Sequence, residues 1–263
     1  MRLPKFAKRP ILGLVDRLGY EVRRKLVADT TLLRRDLRDS LSHMRDLGFA
    51  PCTVIDVGVA EGTPALYETF PNAFHLLVEP LQEFEPALRS ICQRYRGDYV
   101  LAAASTHSGA VTFNVHTNHL EGSSMLRESE GSHVDGTPRT VPTARIDGLC
   151  KERVLSGPFL LKVDVQGNEL DVVASADGII TEIQTIILEV SLFESMVGAP
   201  QFADVVAAMK KRGFSAYDIF GGRNRPLDSA LAQIDIAFVR ENGLLRQTHA
   251  YASPEQRQAM LKL

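Results

Sequence analysis

Apolar residues recur along the chain in two alternating rhythms: short unbroken runs, and longer stretches in which they return every three or four positions. Leu33, Leu37, Leu41 and Met44 share one helical face, and Gly48 follows as a stop. Cys52-Thr-Val-Ile-Asp-Val-Gly58 is an apolar run that breaks into a glycine turn, the pattern of a buried strand feeding a loop. His75–Glu79 reads as a second strand ended by Pro80, Phe84–Tyr95 as a helix, and Tyr99–Ala104 as a third strand. Gly109–Val115 alternates and predicts an added strand or hairpin arm. Phe159–Asp164 and Thr185–Val190 are further core strands, separated by a helix carrying Leu170, Val172, Val173 and Ala176. A helix over Phe202–Arg212 closes at Gly213. Ala216–Phe220 and Gln233–Val239 supply two more strands. Ser253-Pro-Glu-Gln256 opens a short last helix, with Ser253 as cap and Gln256 completing a capping box.

Strands alternating with helices over most of the chain predict a doubly wound, mostly parallel seven-stranded sheet covered on both faces. The last two strands lack a helical crossover and predict an antiparallel hairpin at one edge. Residues 117–140 are rich in Gly, Ser, His and Thr without any period, and a long unpatterned loop in a compact domain reads as a substrate cover. The organisation expected is a basic helical arm over 1–31 and one catalytic domain over 32–263.

Charge sharpens that division. Residues 1–38 hold eleven Lys and Arg against four acids, while the whole chain has a net charge of -2. The balance gives no global argument for nucleic acid. For the arm it leaves packing on the domain, pairing with a second subunit, or peripheral contact with an anionic membrane. Apolar stretches are too short for a membrane span or a secretory signal, so a cytoplasmic protein is expected. Cys52, Cys92 and Cys150 lie far apart and form no zinc or disulfide pattern.

In such a sheet, ligands bind beyond the carboxyl ends of the strands, where the strand order reverses. The first strand ends Asp56-Val-Gly58-Val-Ala-Glu61-Gly62, and the second ends at Glu79, twenty-three positions after Asp56. Gly58 permits a tight turn and close approach of a ligand, and Gly62 opens the next helix. A nicotinamide pyrophosphate would need G-x-G-x-x-G and an uncluttered helix N-terminus. Here the glycines are spaced G-x-x-x-G with acids on both flanks, Asp56 and Glu61. Negative charge there repels phosphate and suits an ammonium or a sulfonium, while Glu79 offers one oxygen to each ribose hydroxyl. An adenosine with a cationic sulfur and an amino acid tail is S-adenosylmethionine. Pro80, Ala103 at the end of the third strand, and Asp164 complete the expected cofactor contacts.

The chain resembles the FkbM-type methyltransferases from about Ser42 to Arg240. The resemblance rests on Val54-Ile-Asp-Val-Gly58 with Gly62, on Glu79-Pro80, on Leu161-Lys-Val-Asp-Val-Gln-Gly-Asn-Glu169, on Thr143-Ala-Arg-Ile-Asp147 and on Ile187-Leu-Glu189. It implies a class I methyltransferase (Rossmann-like) fold, S-adenosylmethionine as donor, and O-methylation of a sugar, glycolipid, polysaccharide or secondary metabolite. The chain departs from the family where Val59-Ala60-Glu61 replaces the frequent Ala-Asn after Gly58.

For the chemistry, strand alternation sets Lys162, Asp164 and Gln166 on one side of the fourth core strand. Asp164 and Glu189 end neighbouring strands, so they read as base and orienter, with Lys162 as their catalytic partner or simply as an ion-pair partner in a buried network. A divalent cation between the carboxylates is the less favoured alternative, and no metal ligand set is assigned. His119, Ser123, Ser124 and Gln166 are the candidate substrate contacts. Two other classes of function stay open: a catalytically idle S-adenosylmethionine-fold binding module, and a nicotinamide-dependent oxidoreductase.

Overall fold

Helix formation begins at Asp36, whose side chain accepts the Asp39 N–H at 2.9 Å and caps α1 (Leu37–Asp46). The structure is a computed structural model that describes residues 33–261. The basic arm expected over 1–31, with its membrane and subunit readings, lies outside the described residues. Helix α1 buries Leu41 and Met44 and ends at Gly48, whose φ of 93° suits a helix stop.

The chain continues through β1 (Thr53–Val57), α2 (Pro64–Thr69), β2 (Phe74–Glu79), α3 (Glu85–Arg94), β3 (Gly97–Leu101) and β4 (Ala103–Ala104). Then come β5 (Gly109–Val115), β6 (Thr137–Ala144), α4 (Ile146–Glu152), β7 (Phe159–Val163), α5 (Glu169–Ser175) and β8 (Ile183–Ser191). Helix α6 (Phe202–Lys211), β9 (Phe214–Asn224), β10 (Leu231–Arg240) and α7 (Pro254–Leu261) complete it. Seven strands form one sheet in the order β3-β2-β1-β7-β8-β10-β9. The first five are parallel, and β10 and β9 run antiparallel at one edge. This is the doubly wound architecture expected, with its terminal hairpin. In α7 the Ser253 N–H donates to Gln256 Oε1 at 2.8 Å and Ser253 Oγ accepts the Gln256 N–H at 3.2 Å, a complete capping box.

Each face of the sheet carries its own apolar layer. Val54, Leu77, Leu160, Ile187 and Ala237 pack under α1, α2 and α3 through Leu41, Met44, Leu66 and Leu88. Ile55, Leu161, Leu188 and Phe238 lie on the other face with Ile146, Leu149, Val172, Val173, Val205 and Met209 of α4, α5 and α6. Two-sided burial explains why these strands read as nearly continuous apolar runs.

Two elements differ from the sequence reading. The run Tyr99–Ala104 is not one strand: β3 ends at Leu101, level with the last residue of β2, Glu79, and has no further neighbour in the main sheet. Ala103 and Ala104 instead pair with Thr143 and Ala144 in a second sheet, ordered β4-β6-β5. Strand β6 is the second difference. Pro138 and Pro142 hide it in the sequence, and both place their missing N–H on the same edge of the strand. That is tolerable because β4 covers only two residues of β6. The segment read as a cover over 117–140 therefore ends inside a strand. Its middle is tied down by Val197 N–H donating to Arg127 O at 2.8 Å and by the bridge between Glu128 and Met196.

The tightest backbone contact in the fold is at the end of β1. Gly58 has φ 75°, and a β-carbon added there would stand 1.7 Å from the Asp164 carbonyl oxygen. Gly58→Ala is expected to lower unfolding free energy by about 3 kcal/mol or more, from combined strain and overlap. Chemical denaturation measures it, and a loss below ~1 kcal/mol would mean that the two loops separate easily.

Candidate active site

Strand β1 sits between β2 and β7, and the connections that leave β1 (to β2) and β7 (to β8) run to opposite sides, so a crevice opens beyond their carboxyl ends. A cavity of about 410 Å³ occupies that crevice. Its floor is the face of the sheet that also carries α1, α2 and α3, where the apolar layer gives way to a row of charged side chains.

One end of the cavity is formed by the loop Gly58–Gly62 and by Glu79, Pro80 and Ala103. Glu79 braces the loop: Oε2 accepts the Ala60 N–H at 3.1 Å and Oε1 accepts the Leu81 N–H at 2.9 Å. These bonds help hold Ala60 at φ 46°, a left-handed conformation that costs a non-glycine residue energy. Burial raises the Glu79 pKa, and the backbone donors pull it back. Each oxygen keeps a second lone pair for a ligand. Beside Glu79, Leu81, Phe84, Phe113 and Met125 form an apolar wall of the same cavity.

The other end is polar. Lys162 Nζ lies 3.2 Å from Asp164 Oδ2 and 3.7 Å from Asp56 Oδ1. Burial pulls the lysine pKa down, but Asp164 and Asp56 together push it above the usual range. Gln166, held at φ 57°, donates from Nε2 to Glu189 Oε2 at 2.8 Å and lies 3.4 Å from Asp164 Oδ1. Gln233 donates to the same Glu189 oxygen at 3.1 Å. Burial, then Asp164 and Asp235, raise Glu189 to about 8. Burial and Asp164 raise Asp235 to about 6, against the pull of Lys162.

The cavity thus gathers Gly58, Glu61, Gly62, Glu79, Pro80, Ala103, His119, Ser123, Lys162, Asp164, Gln166 and Glu189 from the residues singled out in the sequence. Two others lie elsewhere. Asp56 is fully buried below the floor, where Oδ2 accepts the Tyr67 hydroxyl at 2.6 Å, so its place is in the scaffold rather than on the cavity wall. Ser124 is also buried: its hydroxyl donates to the Gln166 carbonyl at 2.7 Å and accepts the Leu126 N–H at 3.0 Å. Of the segment 117–140, only the part from His119 to Met125 lines the cavity. Glu169 turns away from it and accepts the Gly167 N–H at 2.8 Å, while burial raises its pKa to about 7.

Sequence reasoning missed Asp235, Arg223, Phe84 and Phe113, all on the cavity wall. The alternation Gln233-Ile-Asp-Ile-Ala did place Gln233 and Asp235 on one face. At an outer edge such a face would meet solvent, whereas β10 lies inside the sheet between β8 and β9. Among the described residues no group of three or more His, Cys, Asp or Glu is arranged to hold a metal ion. No helix among them is long and apolar enough to cross a membrane.

The strand order, the crevice beside β1 and the acid ending β2 define the class I methyltransferase fold. A family model described as the methyltransferase FkbM domain matches residues 56–216. That is more than half of the chain, and the chain belongs to this family of S-adenosylmethionine-dependent methyltransferases. No curated protein matches it. Solved structures similar to it include fibrillarin in its complex with Nop5p, at 14% identity and a TM-score of 0.44 over 72% of each chain. Precorrin-6y C5,15-methyltransferase from Geobacter metallireducens GS-15 is 10% identical with a TM-score of 0.43, over 86% of this chain and 96% of that one. Magnesium protoporphyrin IX methyltransferase from Synechocystis PCC 6803, solved with bound SAM, is 10% identical with a TM-score of 0.41, over 91% of this chain and 100% of that one.

The electrostatics predict a pH signature that needs no substrate. A carboxyl that titrates near 4.5 when unfolded and near 8 when folded binds its proton more tightly in the folded state. Its contribution to stability is complete below pH 4.5 and is lost as pH rises through about 8. Glu189→Gln removes that titration. The variant should gain stability relative to wild type across this window, by on the order of 1 kcal/mol or more, as read from denaturation at several pH values. A difference independent of pH would contradict the assignment.

Proposed function

We propose that the chain transfers a methyl group from S-adenosylmethionine to a hydroxyl oxygen of a polyhydroxylated acceptor: a sugar, a glycolipid or a related secondary metabolite. The observation that carries this reading is Glu189, a carboxyl raised to about 8 that faces the cavity and forms no ion pair among the described residues. Around it stand Asp164, Gln166, Arg223 and Asp235, all hydrogen-bonding side chains and none aromatic. Such a wall suits hydroxyls better than a flat ring.

The donor fits the opposite end. S-adenosylmethionine, when bound, supplies a methyl group on a positively charged sulfur, open to in-line attack. The spare lone pairs of Glu79 would accept both ribose hydroxyls, and the wall of Leu81, Phe84, Phe113 and Met125 would take the adenine. Glu61 would favour the ammonium of the methionine tail. Glu189 would accept the proton of the attacking hydroxyl, since a base titrating near the working pH transfers protons most effectively. Gln166 and Gln233 would hold Glu189 in place. Asp164, itself held by Lys162, would orient the acceptor. Aligning both reactants inside a closed crevice supplies the rest of the acceleration.

Three measurements test the reading. Glu79→Ala should weaken S-adenosylmethionine binding by about 2–4 kcal/mol in calorimetry, the value of two charge-assisted hydrogen bonds. Glu189→Gln should lower turnover by about 10²–10⁴-fold while leaving donor affinity nearly unchanged. Wild-type turnover should climb with pH, with its midpoint near 8 and a plateau above it, and the variant should lose that rise. Acceptors come from a panel of neutral glycosides, uronates and amino sugars with a labelled methyl donor, read by mass spectrometry. Label found only on nitrogen would overturn the hydroxyl assignment. Donor binding without turnover on any acceptor would favour the idle binding module, and binding of a nicotinamide dinucleotide instead would favour the oxidoreductase.

A further inference from the structure

Strand β10 brings two side chains to Glu189. One is Gln233, which donates to it at 3.1 Å. The other is Asp235, the direct register partner of Glu189 across the antiparallel β8–β10 pair. Directly opposed residues point to the same face of a sheet with their β-carbons about 5 Å apart. Both also line the cavity.

The neighbourhood makes this an unusual place for a second carboxylate. Asp235 has no hydrogen-bond partner for its side chain among the described residues, although it is half-buried. Strand β9 leaves room for it: Gly221 has φ 62°, and a β-carbon there would stand 2.7 Å from Asp235 Oδ2. The charged groups whose fields act on Glu189 are mostly acids. Strand β7 and the residue after it supply Lys162 and Asp164, the start of α5 supplies Glu169, and β10 supplies Asp235. Lys162 is engaged by Asp56 and Asp164. Arg223 of β9 lines the cavity but makes no ion pair with Glu189 or Asp235. Like charges directly opposite each other on a sheet repel, and a retained proton between them removes the repulsion.

We propose that Asp235 is a positioning residue for proton transfer: set opposite Glu189, it makes the two carboxyl groups share one proton, and so fixes the pH at which Glu189 becomes the proton acceptor. The role in turnover rests on the reading of Glu189 as base, while the shared proton does not. When the pair has lost its proton, Glu189 takes the one released by the acceptor hydroxyl as the new C–O bond forms and the methyl–sulfur bond of the donor breaks, the neutral thioether S-adenosylhomocysteine leaving. That proton then passes to solvent. The burial of both groups and the upward displacement of both pKa values agree with this arrangement. A purely architectural aspartate would be replaceable by asparagine with no effect on the titration of its neighbour.

The test uses the full-length protein labelled with ¹³C at glutamate carboxyls, the Glu189 resonance being the one lost in Glu189→Gln. In Asp235→Asn the Glu189 midpoint should fall by about one pH unit or more, the usual size of a like-charge effect between adjacent carboxylates. Asp235→Glu, which restores the charge, should return it towards the wild-type value. Asp235→Ser serves as the uncharged variant if the asparagine protein does not fold. The rise of turnover with pH should shift downward in step with the resonance, with KM little altered. An unmoved Glu189 midpoint in a folded, uncharged variant overturns the proposal whatever the activity. A midpoint that moves while the pH dependence of turnover stays put upholds the shared proton and overturns the role of Glu189 as base.

Discussion

The site depends on one buried cation. Lys162 lies in β7 opposite Asp56 in β1, register partners at the point where the connections leaving β1 and β7 part to opposite sides of the sheet. Asp56 is fully buried and Lys162 is only 8% exposed. Neither charge would be tolerable there alone, and removing one partner of such a pair typically costs about 3–5 kcal/mol. Tyr67 adds a hydrogen bond from α2 to the same aspartate. Strand β1, strand β7 and the first helix after the glycine loop are thereby fixed together at the mouth of the crevice. The Gly58 N–H bonds to Val78 O at 2.9 Å and the Asp164 N–H to Val57 O at 3.0 Å, so the loops that leave these strands start from a defined position.

Because that cation is already engaged, charge along the floor becomes uneven. Towards β2, Glu79 is occupied by the N–H groups of Ala60 and Leu81. Backbone donors stabilise an ionised carboxylate and shape the loop it grips. Towards β8 and β10 the carboxylates of Glu189 and Asp235 have side-chain amides or nothing as partners, and both titrate well above the usual carboxylate range. The same residue type thus does two kinds of work a few strands apart. One end has carboxyl oxygens gripped by backbone donors and the other has carboxyls set among like charges, a division that follows from which groups Lys162 can reach.

Much of this was legible in the sequence because two-sided burial leaves a plain trace. Cys52–Gly58, Phe159–Asp164 and Thr185–Val190 read as strands since both faces demand apolar residues, and charge appears only where a strand reaches the crevice. Asp56, Glu79, Lys162, Asp164 and Glu189 stood out for that reason. What the sequence concealed was lateral order. Nothing in Gln233–Val239 says that this strand inserts beside β8, so Asp235 read as an edge residue. The second sheet was hidden for a local reason, the prolines of β6. Asp56 illustrates a different limit: its place beside the glycine turn suggested a cofactor contact, and nothing in the sequence showed that Tyr67 and Lys162 would enclose it beneath the cavity floor.

Ser124 shows how the cover and the chemistry are joined. Its position in a loop rich in hydroxyls suggested a substrate contact, yet its hydroxyl bonds to the backbone of Gln166, and its own backbone pairs with Asn114 at the end of β5. Gln166 is the residue that touches both Asp164 and Glu189. The turn that carries it stays narrow at Gly167, where a β-carbon would stand 3.0 Å from Leu126 and 3.1 Å from Ala199. Through Ser124 and the narrow turn at Gly167 the loop beside the cavity holds the amide that donates to Glu189, so the geometry of that loop and the placement of the Glu189 carboxyl are set by the same few contacts.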